Sequence, residues 1–155
     1  MNDTRPQAPG RLVIRRTFAA PRERVYAAWT EPDQMRRWAG PEGFSVPEME
    51  QDPRVGGTYR MTMQQPDGER IVVSGVFREI QPPERISYTW RWEEDTPEAE
   101  TETLVTVEFH DRGAETELVL THDQFSGEES RAGHEGGWNS ALDKLGRFLA
   151  EGAAP

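Results

Sequence analysis

Histidines beside carboxylates are the residues here best suited to acid–base or metal chemistry. His110 precedes Asp111, His122 precedes Asp123, and His134 stands further along the chain. An imidazole next to a carboxylate can hold a divalent cation or move a proton near neutral pH. Their spacing fits no established metal-binding pattern, so no metal is expected. His110-Asp111 falls at a turn, where side chains face solvent. His122 shares its alternation with Leu118 and Leu120, which places it on an inward face. There it acts either as a ligand contact or as a hydrogen-bonded interior group. A second set is apolar: Trp38, Tyr59, Met61, Met63, Tyr88, Trp90 and Trp138. Flat rings and soft thioethers accommodate apolar ligands of varied shape, and the same residues would equally fill an ordinary core. Tyr88 and Trp90 each add a polar atom that could orient a ligand. Arg16 shares a face with Ile14 and Phe18. It either snorkels at the strand rim or holds a carboxylate. The sequence contains no Gly-x-Ser-x-Gly and no phosphate-cradling glycine loop. No catalytic residue, metal or cofactor is therefore assigned. The candidate ligand-binding residues are Trp38, Tyr59, Met61, Tyr88, Trp90, His122 and Trp138.

The elements that must position these residues follow from periodicity. Leu12, Ile14, Arg16 and Phe18 alternate within a strand over 11–18. Pro21 opens a helix carrying Val25, Tyr26 and Trp29. A second short helix carries Met35 and Trp38 and ends at Gly40-Pro41. Strands are predicted over 44–50 (an edge, from Pro47), 58–64, 70–81, 85–92, 103–110 and 115–123. Gly75 suggests a bulge, and Asp111-Arg112-Gly113 a tight turn. The acidic stretch 93–102 reads as a solvated loop. Ser126 and Glu129 have capping-box spacing. Trp138, Leu142, Leu145 and Leu149 then form one apolar helical stripe. Gly133, Gly136 and Gly137 crowd its start. Either the helix begins near His134, or small residues are wanted there for close approach.

The 155 residues suit one domain, expected over 11–150 between polar tails at 1–10 and 151–155. With 28 acidic against 18 basic residues the net charge is -10. That argues against nucleic acid or an anionic membrane as partner. No apolar run approaches the length of a membrane span, and no leader is evident. Cys is absent, which excludes disulfides and thiolate chemistry and fits a cytoplasmic protein. One curved antiparallel sheet of about six to seven strands and one long C-terminal helix must cover each other. The space between them is where a pocket would lie.

Three segments carry a resemblance. They are 15–29 (RRTFAAPRERVYAAW), 31–41 (EPDQMRRWAGP), and 118–125 (LVLTHDQF) with Gly137-Trp138 and Ala141-Leu142 through Leu145. The 75–90 strand pair with its Pro82-Pro83-Glu84-Arg85 corner adds to them. The chain resembles the SRPBCC, START-like or Bet-v-allergen-like superfamily, and more closely its branch of homologues of the activator of the heat-shock protein 90 ATPase. The resemblance implies a helix-grip α+β fold, in which the sheet grips the C-terminal helix around an apolar cavity. It supplies no universal catalytic residue. Many relatives have two tryptophans where this chain has Trp38-Ala39. The smaller Ala39 would widen a cavity mouth or reduce a surface patch. The expected function is binding of a small apolar or aromatic molecule between sheet and helix. Two alternatives stay open: a cyclase or lyase-type enzyme using the same cavity, and a chaperone-associated interaction module. A homodimer stays open as well.

Overall fold

The computed structural model describes residues 10–93, 102–125 and 127–152. The expected tails at 1–9 and 153–155, most of the acidic loop and the proposed cap at Ser126 lie outside the described residues. The chain runs β1 (Leu12–Phe18), α1 (Arg22–Thr30), α2 (Pro32–Trp38), β2 (Ser45–Gln51), β3 (Thr58–Gln64), β4 (Arg70–Gln81), β5 (Arg85–Trp92), β6 (Thr103–Arg112), β7 (Glu115–Asp123) and α3 (Glu128–Gly152). No helix among the described residues is long and apolar enough to cross a membrane.

The seven strands form one antiparallel sheet in the order β1-β7-β6-β5-β4-β3-β2. Strands β3 to β7 follow one another as a meander. β1 closes on β7, pairing Ile14 with Leu120 and Arg16 with Leu118. β1 and β2 are thus opposite edges, and α1 with α2 carries the chain from one edge to the other. Pro47 lies in the edge strand β2, where its missing N–H costs least. The register shifts there between Ser45 and Glu48.

Alternation decides what each strand buries. Val105, Val107 and Phe109 of β6 are buried, as are Leu118, Leu120 and His122 of β7. The inward face of β5 contributes Ile86, Tyr88 and Trp90. α3 lays Trp138, Ala141, Leu142, Leu145 and Leu149 against this face. Those positions recur at helical spacing, so the helix is held by burial of one stripe. Trp29 of α1 and Trp38 of α2 are fully enclosed, with ring centroids 4.6 Å apart. Their indole N–H groups donate to the Tyr88 hydroxyl at 3.1 Å and the Ala28 carbonyl at 3.0 Å. Truncating such a ring to alanine costs about 3–5 kcal/mol.

Several local expectations shift. α3 starts at Glu128 and runs through Gly133, Gly136 and Gly137, so the glycines lie inside it. It also reaches Gly152, past the expected end at 150. Gly10, assigned to the tail, is buried and accepts a hydrogen bond from Phe125 N at 3.0 Å. β6 extends to Arg112, which moves the turn onto Gly113. The irregularity of β4 lies between Phe77 and Glu79 instead of at Gly75. Gly75 serves close approach: a Cβ there would fall well inside van der Waals contact with the Thr89 carbonyl of β5.

Candidate functional site

A hollow of about 370 Å³ lies between α3, the inner face of β3 to β5, and the loop that joins α2 to β2. This is within the size range of small-molecule pockets. Met61 and Met63 of β3, Ile71 of β4, and Trp90 and Trp92 of β5 form its floor. Trp38, Ala39, Gly40, Pro41 and Phe44 form one wall, and Gly133, His134, Gly137 and Trp138 of α3 the other. No Asp, Glu, Lys or Arg is among the described residues that line it. Two other surface hollows, about 500 and 440 Å³, are lined by charged groups such as Arg36 and Arg37, or Glu50 and Arg91. Those charged groups make them less suited to an apolar ligand than the hollow without charged lining.

Gly133 and Gly137 of α3 leave open space on the lining. A Cβ built at Gly133 meets nothing within 4 Å, and one at Gly137 meets only Pro41 Cγ, at 3.7 Å. Of the two sequence readings, a helix start near His134 is excluded by the start at Glu128, and close approach is not required either, since a Cβ at Gly137 would make only ordinary contact. Ala39 is buried at 3% exposure on the lining. Its small side chain therefore enlarges the hollow and does not bear on the outer surface.

The opposite wall is strapped to α3. Lys144 Nζ donates to the carbonyls of Ala39 and Gly40 at 3.1 Å and of Pro41 and Phe44 at 3.3 Å. Ser140 Oγ accepts the Glu42 N–H at 2.7 Å, and Arg147 pairs with the Glu42 carboxylate. Ser140, Lys144 and Arg147 share one face of α3, so the same helix supplies one wall and anchors the other. Burial lowers the Lys144 ammonium below its ordinary value, against partial compensation from Glu42.

Two histidines accept hydrogen bonds from indoles, His134 on the wall of the hollow and His122 buried behind it. Trp138 Nε1–H donates to His122 Nδ1 at 2.9 Å. An indole can only donate, so Nδ1 carries no proton. His122 Nε2 therefore bears the hydrogen and meets Thr103 Oγ1 at 2.7 Å. Thr103 passes its own hydrogen to the Trp90 carbonyl at 3.0 Å. His122 is fully buried, and burial pushes its pKa well below 6.5, with His134 adding to the effect. A parallel pair lies alongside: Trp92 Nε1–H donates to His134 Nε2 at 3.0 Å, and His134 Nδ1 bonds the Ser130 carbonyl at 2.8 Å. Trp90 packs against both sets, with ring centroids 5.3 Å from Trp138 and 5.5 Å from Trp92 and from His122.

Of the candidate residues, Trp38, Met61, Trp90 and Trp138 border the hollow. Tyr59, Tyr88 and His122 are buried but lie off its lining. The Tyr59 hydroxyl donates to the Thr89 carbonyl at 2.6 Å. Tyr88 sits between Tyr59, Phe77 and the Trp29 indole, and burial raises its phenol pKa far above the ordinary value. His122 takes the interior hydrogen-bonded role. Arg16 pairs with Asp143 at 2.9 Å and with Asn139 of α3, so its guanidinium is occupied within the fold. His110 is part-exposed beside Glu108 at 3.0 Å. No cluster of three metal-ligating side chains occurs among the described residues. Met35, Phe44, Ile71, Trp92 and His134 join the lining without having been singled out as contacts. Trp92 did share the alternation of Trp90, which was the available signal.

The family described as activator of Hsp90 ATPase homolog 1-like protein matches residues 19–150. Solved structures share the fold over nearly the whole chain. The AHSA1 protein from Silicibacter pomeroyi is 31% identical, with a TM-score of 0.81, covering 90% of this chain and 97% of its own. A protein from Chromobacterium violaceum is 27% identical with a TM-score of 0.82, covering 90% and 96%. One from Arthrobacter aurescens is 26% identical with a TM-score of 0.81, covering 92% and 87%. None of the curated proteins matches this chain.

Proposed function

This chain belongs to the family of activator of Hsp90 ATPase homolog 1-like proteins, and we propose that it binds a small apolar or aromatic molecule in the hollow between sheet and α3. The observation that supports this is an uncharged hollow of about 370 Å³, bordered by four indoles and three thioethers. Burial of ligand surface, at about 25 cal/mol per Å², supplies the driving force. Hydrogen bonds that already hold the 39–44 loop to α3 reduce the ordering cost of binding. The glycines at 133 and 137 leave room on the helix side, and Lys144 holds the facing loop in place.

A cyclase or lyase would need a proton-transfer group open to the substrate. Both ring nitrogens of His122 are engaged inside the fold, which weighs against that use. For a chaperone partner, Val55 is the one exposed large hydrophobic side chain among the described residues. Both observations favour the binding reading.

A thermal-shift screen with neutral aromatic and aliphatic molecules tests the proposal. A ligand at 100 times its Kd adds about 2.7 kcal/mol, and at this chain length each kcal/mol raises Tm by about 2–4 °C. Intrinsic fluorescence should change in parallel, since four of the five tryptophans border the hollow. A Gly133→Leu variant that folds but loses the shift places binding at the hollow. Absence of any shift across a broad panel, with fluorescence unchanged, refutes the proposal.

A further inference from the structure

The hollow is open at one end and closed at the other. Along α3 its lining residues are Ser130, Gly133, His134, Gly137, Trp138 and Ala141, a rise of about 16 Å from first to last. Exposure falls along that path. Gly133 is exposed, Ser130, His134 and Gly137 are half-buried, and Trp138 and Ala141 are buried. The facing side follows the same gradient. Trp92, which lies against His134, is half-buried, whereas Trp38, which packs with Trp138 around Trp29, is fully enclosed. The mouth therefore lies at Ser130 and Gly133, and the blind end among Trp38, Trp138 and Ala141.

The polar side-chain atoms of the lining belong to four tryptophans, His134 and Ser130. All but one residue of this set are closed to a ligand. Trp38 donates to the Ala28 carbonyl, Trp92 to His134 and Trp138 to His122. The Trp90 Nε1 is enclosed and does not reach the hollow. His134 has both ring nitrogens engaged, by Trp92 and by the Ser130 carbonyl. Ser130 remains. Its hydroxyl meets no side-chain or backbone partner among the described residues, and it is not among the enclosed unpartnered atoms. A hydroxyl can both donate and accept. Neither a cation nor a carboxylate lines the hollow among the described residues, and the net charge of -10 further disfavours an anion. A polar group pushed to the blind end would lose its water and find no partner. We infer that the ligand is an elongated molecule with an apolar body and one uncharged polar end, a hydroxyl or carbonyl. It enters apolar end first, and its polar end stays at the mouth, bonded to the Ser130 hydroxyl. This rests on the binding function proposed above and adds the ligand's polarity, its direction in the hollow and the residue that selects it.

Phenylpropanol and propylbenzene test it, because they differ by one terminal hydroxyl on the same frame. Each is titrated into the isotopically labelled full chain while indole and backbone N–H resonances of the hollow are followed. The variant is Ser130→Ala, a half-buried helix position where alanine favours the helix. It should weaken phenylpropanol by about twofold to tenfold, the worth of one hydrogen bond, and leave propylbenzene unchanged. Ser130→Thr, which keeps the hydroxyl, should restore the difference. In the wild type, nuclear Overhauser contacts should join the carbinol protons to Ser130 and Gly133, and the phenyl protons to Trp38 and Trp138. An equal effect of Ser130→Ala on both ligands overturns the inference, as do carbinol contacts at Trp38. So does binding of propylbenzene without phenylpropanol, or tighter binding at the hollow of phenylpropionate or phenylpropylammonium than of phenylpropanol. Each of those results leaves the binding function standing. If neither neutral compound moves any resonance of the hollow up to its solubility limit, the binding function itself fails and the inference falls with it. Should the variants not fold, the wild-type contacts and the ranking of end groups decide alone.

Discussion

The hydrogen-bond chain through His122 makes a quantitative demand on stability against pH. Trp138 donates to Nδ1, Nε2 donates to Thr103, and Thr103 donates to the Trp90 carbonyl. Protonating His122 would set a second N–H against the Trp138 indole N–H, inside a site with no exposure. The folded state therefore holds the imidazole neutral, and burial is the main reason its pKa lies well below 6.5. An unfolded chain takes up that proton at a pKa of about 6.5. The sign follows. Above that pH neither state binds the proton, and the site adds no pH dependence. Below it the unfolded state gains a proton that the folded state refuses, so stability falls. The slope is about 1.4 kcal/mol per pH unit, continuing down toward the folded-state pKa. Urea unfolding from about pH 7.5 to about pH 4.5 measures it through the midpoint. His122→Gln is the control, because it cannot titrate. The variant will be less stable throughout, having lost ring contacts and one or more bonds of the chain. The readout is the slope: the wild type should lose about 1.4 kcal/mol more than the variant for each unit below about pH 6.5. The surface carboxylates are common to both proteins and cancel, and repeating the pair in a His134→Gln background removes the contribution of the coupled His134. Parallel pH profiles would refute the neutral, indole-locked assignment of His122.

Gly133→Ala should raise Tm by about 2–4 °C, because it removes a helix-interior glycine worth roughly 1 kcal/mol where a Cβ meets nothing within 4 Å; a fall in Tm on thermal melting would contradict that geometry. Lys144→Met keeps the side-chain stem but leaves the carbonyls of Ala39, Gly40, Pro41 and Phe44 without their donor. A loss of about 1–3 kcal/mol is expected, with hydrogen exchange accelerated in the 40–44 loop and unchanged in β6; uniform protection would show that the strap does not hold the wall. Gly75→Ala should cost at least 1–3 kcal/mol by chemical denaturation, since β4 and β5 must separate to admit a Cβ beside Thr89; a neutral result would count against the close approach.

How far the sequence reaches into this fold depends on which physical quantity each feature obeys. Strands declare themselves where one face is buried. Tyr59, Met61 and Met63, and likewise Leu118, Leu120 and His122, alternate because a one-residue slip would turn the whole set to solvent. The stripe Trp138, Leu142, Leu145 and Leu149 declares α3 for the same reason. Its start did not declare itself, because propensity argues against three glycines in a helix, whereas burial of the packed stripe outweighs that cost. The site was legible only in part, and the reason is geometric. Periodicity tells which face of a strand points inward but not what lies over it. Trp90 and Tyr88 share a face of β5, yet α3 stands off from the sheet over Trp90 while Trp29 of α1 comes down on Tyr88. Only the crossing positions of the helices separate a cavity wall from a core. His122 illustrates the same limit chemically. Its alternation gave its direction, but its tautomer and its unavailability for catalysis are set by Trp138 and Thr103, which lie on two other elements. The pairing of indole donors with imidazole acceptors, twice over and side by side, is a property of the assembled sheet and helix. It leaves Trp90 as the one indole of the lining whose buried N–H meets no acceptor.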